Sequence, residues 1–283
     1  MRVYSFPEFS RDYPNDDACL DRLFKERYGS DILTCPGCGV VDSKFYRLNG
    51  RKAYSCVNCR YQIHPLAGTI FHKSDTPLTK WMYALYLFSV SKNGVSAMEL
   101  QRHLGVTYKC AYRIGKKIRE LMQQNADKLS GIIEMDETYI GGKRRGHKGK
   151  FDNKTAIIGM VERKGKAKAR IGHPDATTAV PMLNAYVERG SKVHTDDSRI
   201  YHRVKRNFDH ESVNHSIKEY VRGDVHTNSI EGFWGNMKNS ISGTYHAVSP
   251  AYLQTYVNQF VFFYNHRDVQ VWPVLLKLAA RQS

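Results

Sequence analysis

Apolar positions change period several times along the chain, and each change marks a different kind of element. In DDACLDRLFKERYG, Leu20, Leu23 and Phe24 share one face of a short amphipathic helix. The following stretch, TCPGCGVVDSKFYRLNGRKAYSCVNCRYQIHPLAGTIFHKS, has glycines and short aromatic runs in place of helical spacing, and reads as a compact β-rich unit. From Pro77 to about Asn125 the pattern is helical. TPLTKWMYALYLFSVS opens on a capping Thr with a Pro just inside it. SAMELQRHLGVTYKCAYRIGKKIRELMQQ then reads as two helices broken at Gly105, with Ala111, Ile114, Ile118, Leu121 and Met122 facing inward. Strands return at Gly131 as GIIEMDETYI, TAIIGMVERK and KARIGH. A helix, TAVPMLNAYVERG, leads into the strand SKVHT, and two further helices follow, TNSIEGFWGNMKNSI and PAYLQTYVNQFVFFYNHR.

This order predicts an α/β layer fold on a mixed sheet. It is preceded by a small cysteine-bearing unit over residues 1–73 and a helical region over 74–128, with the sheet domain over 129–283.

Composition narrows the classes. A hydrophobic content of 41% and an aromatic content of 12% support a packed core and argue against a disordered chain. Lys and Arg number 43 against 27 Asp and Glu, a formal charge of +16, which points to a polyanionic partner. No apolar run reaches the length of a membrane span, and no signal-peptide pattern opens the sequence, so the expectation is a cytoplasmic protein without a membrane partner. In that compartment paired cysteines imply metal more readily than disulfide. Cys35-Pro-Gly-Cys38 and Cys56-Val-Asn-Cys59 form two CxxC knuckles, a ligand set for one structural Zn²⁺ of the ribbon type.

The helical pair around Gly105 resembles a helix-turn-helix. Its second helix carries Lys109, Arg113 and Lys116 away from the apolar stripe, where they can meet phosphates and base edges. Between Gly141 and Arg170 eleven Lys or Arg face only Asp152 and Glu162. Lys143, Arg144 and Arg145 leave directly from the first strand of the sheet domain, as a basic loop suited to gripping a phosphate backbone.

Three acids carry the candidate chemistry. Asp136 lies in a largely apolar strand, Asp196 follows Val193, His194 and Thr195 at a strand end, and Glu231 is on a helix beside Ile230, Phe233 and Trp234. Separated carboxylates brought together by a fold hold hard divalent ions, here two Mg²⁺ or Mn²⁺. Such ions activate a water or a 3′-hydroxyl at a phosphodiester and stabilise the leaving oxygen. Lys238 follows Glu231 two helical turns later on the same face. Glu137 is directed to the opposite side of the strand from Asp136.

DETYIGGK, HTDDSRIY, HTNSIEGFWGNMK and GTYHAVSPAYLQTYVNQFVFFYNHR, together with the cysteine knuckles, resemble a bacterial insertion-sequence transposase. The similar class is the DDE type with a ribonuclease-H-like core, in the IS-fifteen-ninety-five family. The resemblance spans roughly residues 10–270. It implies that Asp136 and Asp196 are the first two metal-binding aspartates, Glu231 the third acid, and Lys238 the basic residue after it. Asn228 lies one turn before Glu231, and some relatives carry Asn at the third position. Glu231 is preferred because a carboxylate is the better ligand for Mg²⁺. The implied activity is binding of terminal inverted repeats, then metal-dependent strand cleavage and strand transfer into target DNA by a homo-oligomer assembled on double-stranded DNA. Two rival readings are a non-catalytic DNA-binding regulator, built from the ribbon and the helix-turn-helix, and a related nuclease without strand transfer.

Overall fold

A computed structural model of the chain describes residues 4–141, 154–201, 204–214, 219 and 221–281. The chain packs as two units, Met1–Leu121 with Asp268–Ser283, and Met122–Arg267.

The first unit begins with α1 (Phe6–Asp12) and α2 (Asp16–Tyr28). A capping box between Ser5 and Glu8 starts α1; the Asn15 side chain caps α2 and Gly29, at φ 79°, ends it. Four short strands, β1 (Ile32–Leu33), β2 (Ser43–Arg47), β3 (Tyr54–Cys56) and β4 (Gln62–Ile63), form an antiparallel sheet in chain order. Then come α3 (Leu78–Val90), α4 (Ala97–Leu104) and α5 (Tyr108–Leu121). Ser96 caps α4, and Gly105 in the left-handed region ends it, so the turn to α5 is only three residues long. Ala111, Ile114 and Ile118 form the buried stripe of α5, and Met122 just beyond it is also buried.

The same unit holds the last helix, α9 (Val271–Ala280), which packs on α2, α3 and α5 through Trp272, Leu275, Leu276 and Ala279. The sequence pattern did not register this helix, and its domain boundaries ran the sheet domain to residue 283. Pro273 lies in the first turn of α9, where a missing N–H costs nothing.

The second unit is a five-stranded mixed sheet. β5 (Ile132–Ile140), β6 (Thr155–Glu162) and β7 (Ala167–Ile171) form an antiparallel meander; α6 (Ala176–Tyr186) crosses to β8 (Lys192–Asp196), which runs parallel to β5, and β9 (Asp209–Val213) lies parallel on its edge. The strand order is β7-β6-β5-β8-β9. α7 (Asn228–Ser240), extended by a π-helical turn over Ile241–Tyr245, and α8 (Pro250–Asn265) complete the unit.

Strand alternation divides the core in two. Ile133 and Met135 of β5 with Ile158 and Met160 of β6 face α6, Tyr201 and Phe208. Ile157, Val161, Ala167 and Ala169 face Ile230, Phe233, Trp234 and Met237 of α7 and the apolar stripe of α8. A meander extended by parallel strands, with helices on both faces, is the ribonuclease-H-like α/β arrangement expected from the sequence.

Candidate active site

β5 delivers Asp136. Its even-numbered residues face α7, because its odd-numbered neighbours Ile133 and Met135 belong to the core on the other side. β5 and β8 are paired in parallel through Glu134↔His194. That is the last pair of the ladder, and Asp136 and Asp196 each lie two residues beyond it in the strand direction. Both aspartates therefore lie at the carboxyl end of β8, where open α/β sheets place their chemistry. Asp196 Oδ1 accepts the Ser198 N–H at 3.2 Å.

Glu231 is on the exposed side of the first turn of α7, whose buried side is Ile230, Phe233, Trp234 and Met237. Its Oε1 accepts the Thr227 hydroxyl at 2.9 Å, which fixes one carboxylate oxygen and its rotamer. Asp136 feels the acids around it. Burial, followed by the negative charges of Glu137, Asp196 and Glu231, pushes the Asp136 carboxyl up to about 7. Glu137 points to the far side of the sheet, as alternation requires, and its Oε2 accepts the hydroxyl of buried Tyr201 at 2.6 Å. Burial raises it as well.

α7 can approach this closely because of Gly159, the cross-strand partner of Asp136. A Cβ there would lie 2.4 Å from the Trp234 ring. The indole therefore covers the sheet at Gly159, beside Asp136. Trp234 Nε1 is buried and has no hydrogen-bond partner among the described residues.

One residue that sequence reasoning passed over is central to the arrangement. Glu134, two positions before Asp136 on the same face, is fully buried. Arg163 Nε donates to its Oε1 at 2.7 Å, and Ser229 donates to it through both N–H, at 2.7 Å, and hydroxyl, at 3.0 Å; the Ile230 N–H follows at 3.2 Å. Arg163 also donates to His194 Nδ1 and to the His226 carbonyl, each at 3.2 Å. Burial and then the Arg163 charge hold His194 below its ordinary value, consistent with a neutral imidazole accepting that bond. A carboxylate inside an apolar strand signals a buried cationic partner, and that signal was available in GIIEMDETYI.

The remaining candidates separate. Lys238 is exposed near the end of α7, roughly 10 Å along the axis from Glu231. Lys143, Arg144 and Arg145 lie outside the described residues. Within the basic stretch, Arg163 and Lys168 are not surface charges. Arg163 serves Glu134, and Lys168, buried, donates to the Asn125 carbonyl and side-chain oxygen at 2.7 Å each. On α5, Lys109 and Arg113 are exposed, and Arg113 donates to Thr76 Oγ1 at 3.3 Å. Lys116 pairs with Glu120 at 3.8 Å.

Cys35, Cys38, Cys56 and Cys59 converge, with all four sulfurs within 4.8 Å of one another; among the described residues no other group of three or more His, Cys, Asp or Glu comes together this closely, the carboxylates of Asp136, Asp196 and Glu231 included. The Cys35 and Cys59 sulfurs are 3.5 Å apart. A tetrahedral ZnS₄ site with Zn–S bonds of about 2.3 Å spaces its sulfurs at about 3.8 Å, so the thiols fit a structural Zn²⁺. The Ser43 hydroxyl lies 3.0 Å from Cys56 Sγ as an outer-shell contact. Tyr61 packs on Gly37 in the first knuckle, where an added Cβ would meet the Tyr61 side chain at 2.7 Å.

The described residues combine a four-cysteine ribbon with a ribonuclease-H-like sheet unit, and the family models place that unit in the DDE transposase class. Residues 128–265 match the ISXO2-like transposase domain and residues 14–62 the transposase zinc-ribbon domain. The chain belongs to the IS1595 family of insertion-sequence transposases. It is 27% identical over 221 residues to an uncharacterized protein in transposable element ISH50 of Halobacterium salinarum, covering 70% of this chain and 74% of that protein. A chain in the cryo-electron microscopy structure of the simian T-cell lymphotropic virus intasome with PP2A regulatory subunit B56 gamma is similar at 12% identity and a TM-score of 0.31. The match covers 58% of this chain and 63% of that one, under two thirds of its length. No helix among the described residues is long and apolar enough to cross a membrane.

Proposed function

We propose that the protein is a working transposase that binds the terminal inverted repeats of its element, cuts the DNA there and joins the ends to a target. Asp136, Asp196 and Glu231 would hold two Mg²⁺ or Mn²⁺ ions, whose chemistry would be to activate a hydroxyl and stabilise the leaving oxygen at a phosphodiester. Lys238 contacts a DNA phosphate beside them. The observation that supports this reading is the setting of Asp136, whose carboxyl is pushed up to about 7 by burial first and then by the negative charges of Glu137, Asp196 and Glu231 on β5, β8 and α7. Nature rarely gathers uncompensated acids, and a divalent cation is the compensation that suits an all-oxygen set. The ribbon and the α4–α5 pair supply DNA binding, with Lys109 and Arg113 of α5 on phosphates, aided by Lys116 and by Lys143, Arg144 and Arg145. Assembly on DNA as a homo-oligomer follows from the need to hold two ends at once.

The test is cleavage of a labelled terminal-repeat duplex in Mg²⁺, with a gel shift on the same preparation. Asp136→Asn, Asp196→Asn and Glu231→Gln should abolish cleavage and leave the shift intact, and Asn228→Ala should be milder. Full cleavage by either aspartate variant would sink the catalytic reading. An inactive Asn228→Ala beside an active Glu231→Gln would reassign the third ligand. Cleavage without joined product in a strand-transfer assay would make the protein a nuclease of this fold.

A further inference from the structure

α7 begins without a cap of its own. Thr227, at its N-cap, makes no capping bond; its hydroxyl is spent on Glu231. A helix start buried without partners is unstable, since its first N–H groups need acceptors. Here the acceptor comes from the sheet. Glu134 takes the N–H groups of Ser229 and Ile230, the second and third residues of the helix, and the Ser229 hydroxyl. Arg163 neutralises Glu134 and at the same time grips the His226 carbonyl, one residue before Thr227. The His226 ring adds a contact to Glu134 Oε1 at 3.3 Å. The segment from His226 to Ile230 is thus held at five points by one ion pair whose carboxylate is fully buried. It contains Thr227, which orients Glu231, and Glu231 follows it directly.

We infer that Glu134, with Arg163, is a positioning pair that sets the distance of Glu231 from Asp136 and thereby tunes divalent-metal affinity. The inference rests on the three-carboxylate site proposed above. Glu134 is two residues from Asp136 on one strand face, and it bonds the backbone one and two residues before Glu231. A shift of either element passes through this pair. Outer-shell partners of metal ligands act in this way, and losing one costs about 10- to 100-fold in metal affinity or activity.

The experiment uses the full chain and Mn²⁺ alone, titrated by electron paramagnetic resonance, with a thermal melt of each sample. Wild type should bind Mn²⁺, and Asp136→Asn should lose that binding. Glu134→Gln preserves shape but removes the charge, and should weaken Mn²⁺ binding about tenfold. Ser229→Ala removes one donor and leaves the backbone bonds, and should weaken it about two- to threefold without moving the melt. Arg163→Lys keeps the charge, loses the fork, and should fall between them. A merely structural role would lower the melt and leave the Mn²⁺ dissociation constant of the folded protein unchanged; that result in Glu134→Gln, or wild-type affinity in Ser229→Ala and Arg163→Lys should Glu134→Gln not fold, overturns the inference. Wild type that binds no Mn²⁺, or Asp136→Asn that binds it normally, overturns the underlying metal-site reading instead.

Discussion

Asp136 titrates near neutrality because folding removes it from water and sets Glu137, Asp196 and Glu231 around it. Its folded value of about 7 lies above the unfolded 3.8, so ionisation opposes folding. That cost is absent below the unfolded value, grows through the interval, and is complete above the folded one. Metal-free protein should therefore lose thermal stability through this group as pH rises from about 5 to about 8, and Mg²⁺ or Mn²⁺ should restore more of it at about pH 8 than at about pH 5. Equal metal stabilisation at both values, read from melts, would count against cation binding at this cluster. Gly159 offers a second test. Gly159→Ala forces the Trp234 ring off the sheet and should destabilise the protein by about 1–3 kcal/mol in urea unfolding. Of these residues the sequence made Asp136 legible through its apolar context. Glu134 shares that apolar context, but which cation it pairs with could not be read, because Arg163 looks like one more charge in a basic run.

At the scale of elements, one device occurs twice. The Asp16 side chain of α2 accepts the Thr79 N–H at 2.9 Å and its hydroxyl at 3.0 Å, capping α3 from outside because Pro77 at its N-cap has no side-chain acceptor. Glu134 does the same for α7. Asp16→Ala should cost about 1 kcal/mol, measured by denaturant unfolding. Such caps come from distant positions, so local sequence reading cannot find them. The strands of the meander and β8 were legible from their apolar runs. β9, DHESV, was not, because a polar edge strand has no pattern to read. The knuckles were legible at once from their spacing, and the zinc they fit should be integral to the ribbon. Elemental analysis should give one zinc per chain, and chelation should unfold the ribbon. Intact ribbon structure after chelation, with no zinc found, would refute this. On α5, Lys109→Ala and Arg113→Ala should weaken binding to a terminal-repeat duplex and reduce its salt dependence. Lys116→Ala should do less, since Glu120 already shares that charge. An unchanged salt slope in all three would turn this helix away from DNA.

At the scale of the molecule, the chain leaves its first unit at Leu121, builds the sheet unit, and returns at Asp268. Deleting residues 268–283 should strip Trp272, Leu275 and Leu276 from the core around α2 and α3 and leave the sheet's own core intact. Hydrogen exchange should then show lost protection in α2, α3 and α5 but not in β5 or β6; the opposite pattern would contradict the division. The return has a consequence for how the protein is made. The polypeptide emerges from the ribosome N-terminus first. The unit that carries the ribbon and the α4–α5 pair is begun first but waits for α9, which is synthesised after the entire sheet unit. A nascent or prematurely terminated chain therefore has its cysteine knuckles but an open hydrophobic face where α9 belongs. Synthesis of α9 is therefore the step that finishes this unit, and a fragment that stops before α9 should be cleaved by protease faster than a chain that includes it.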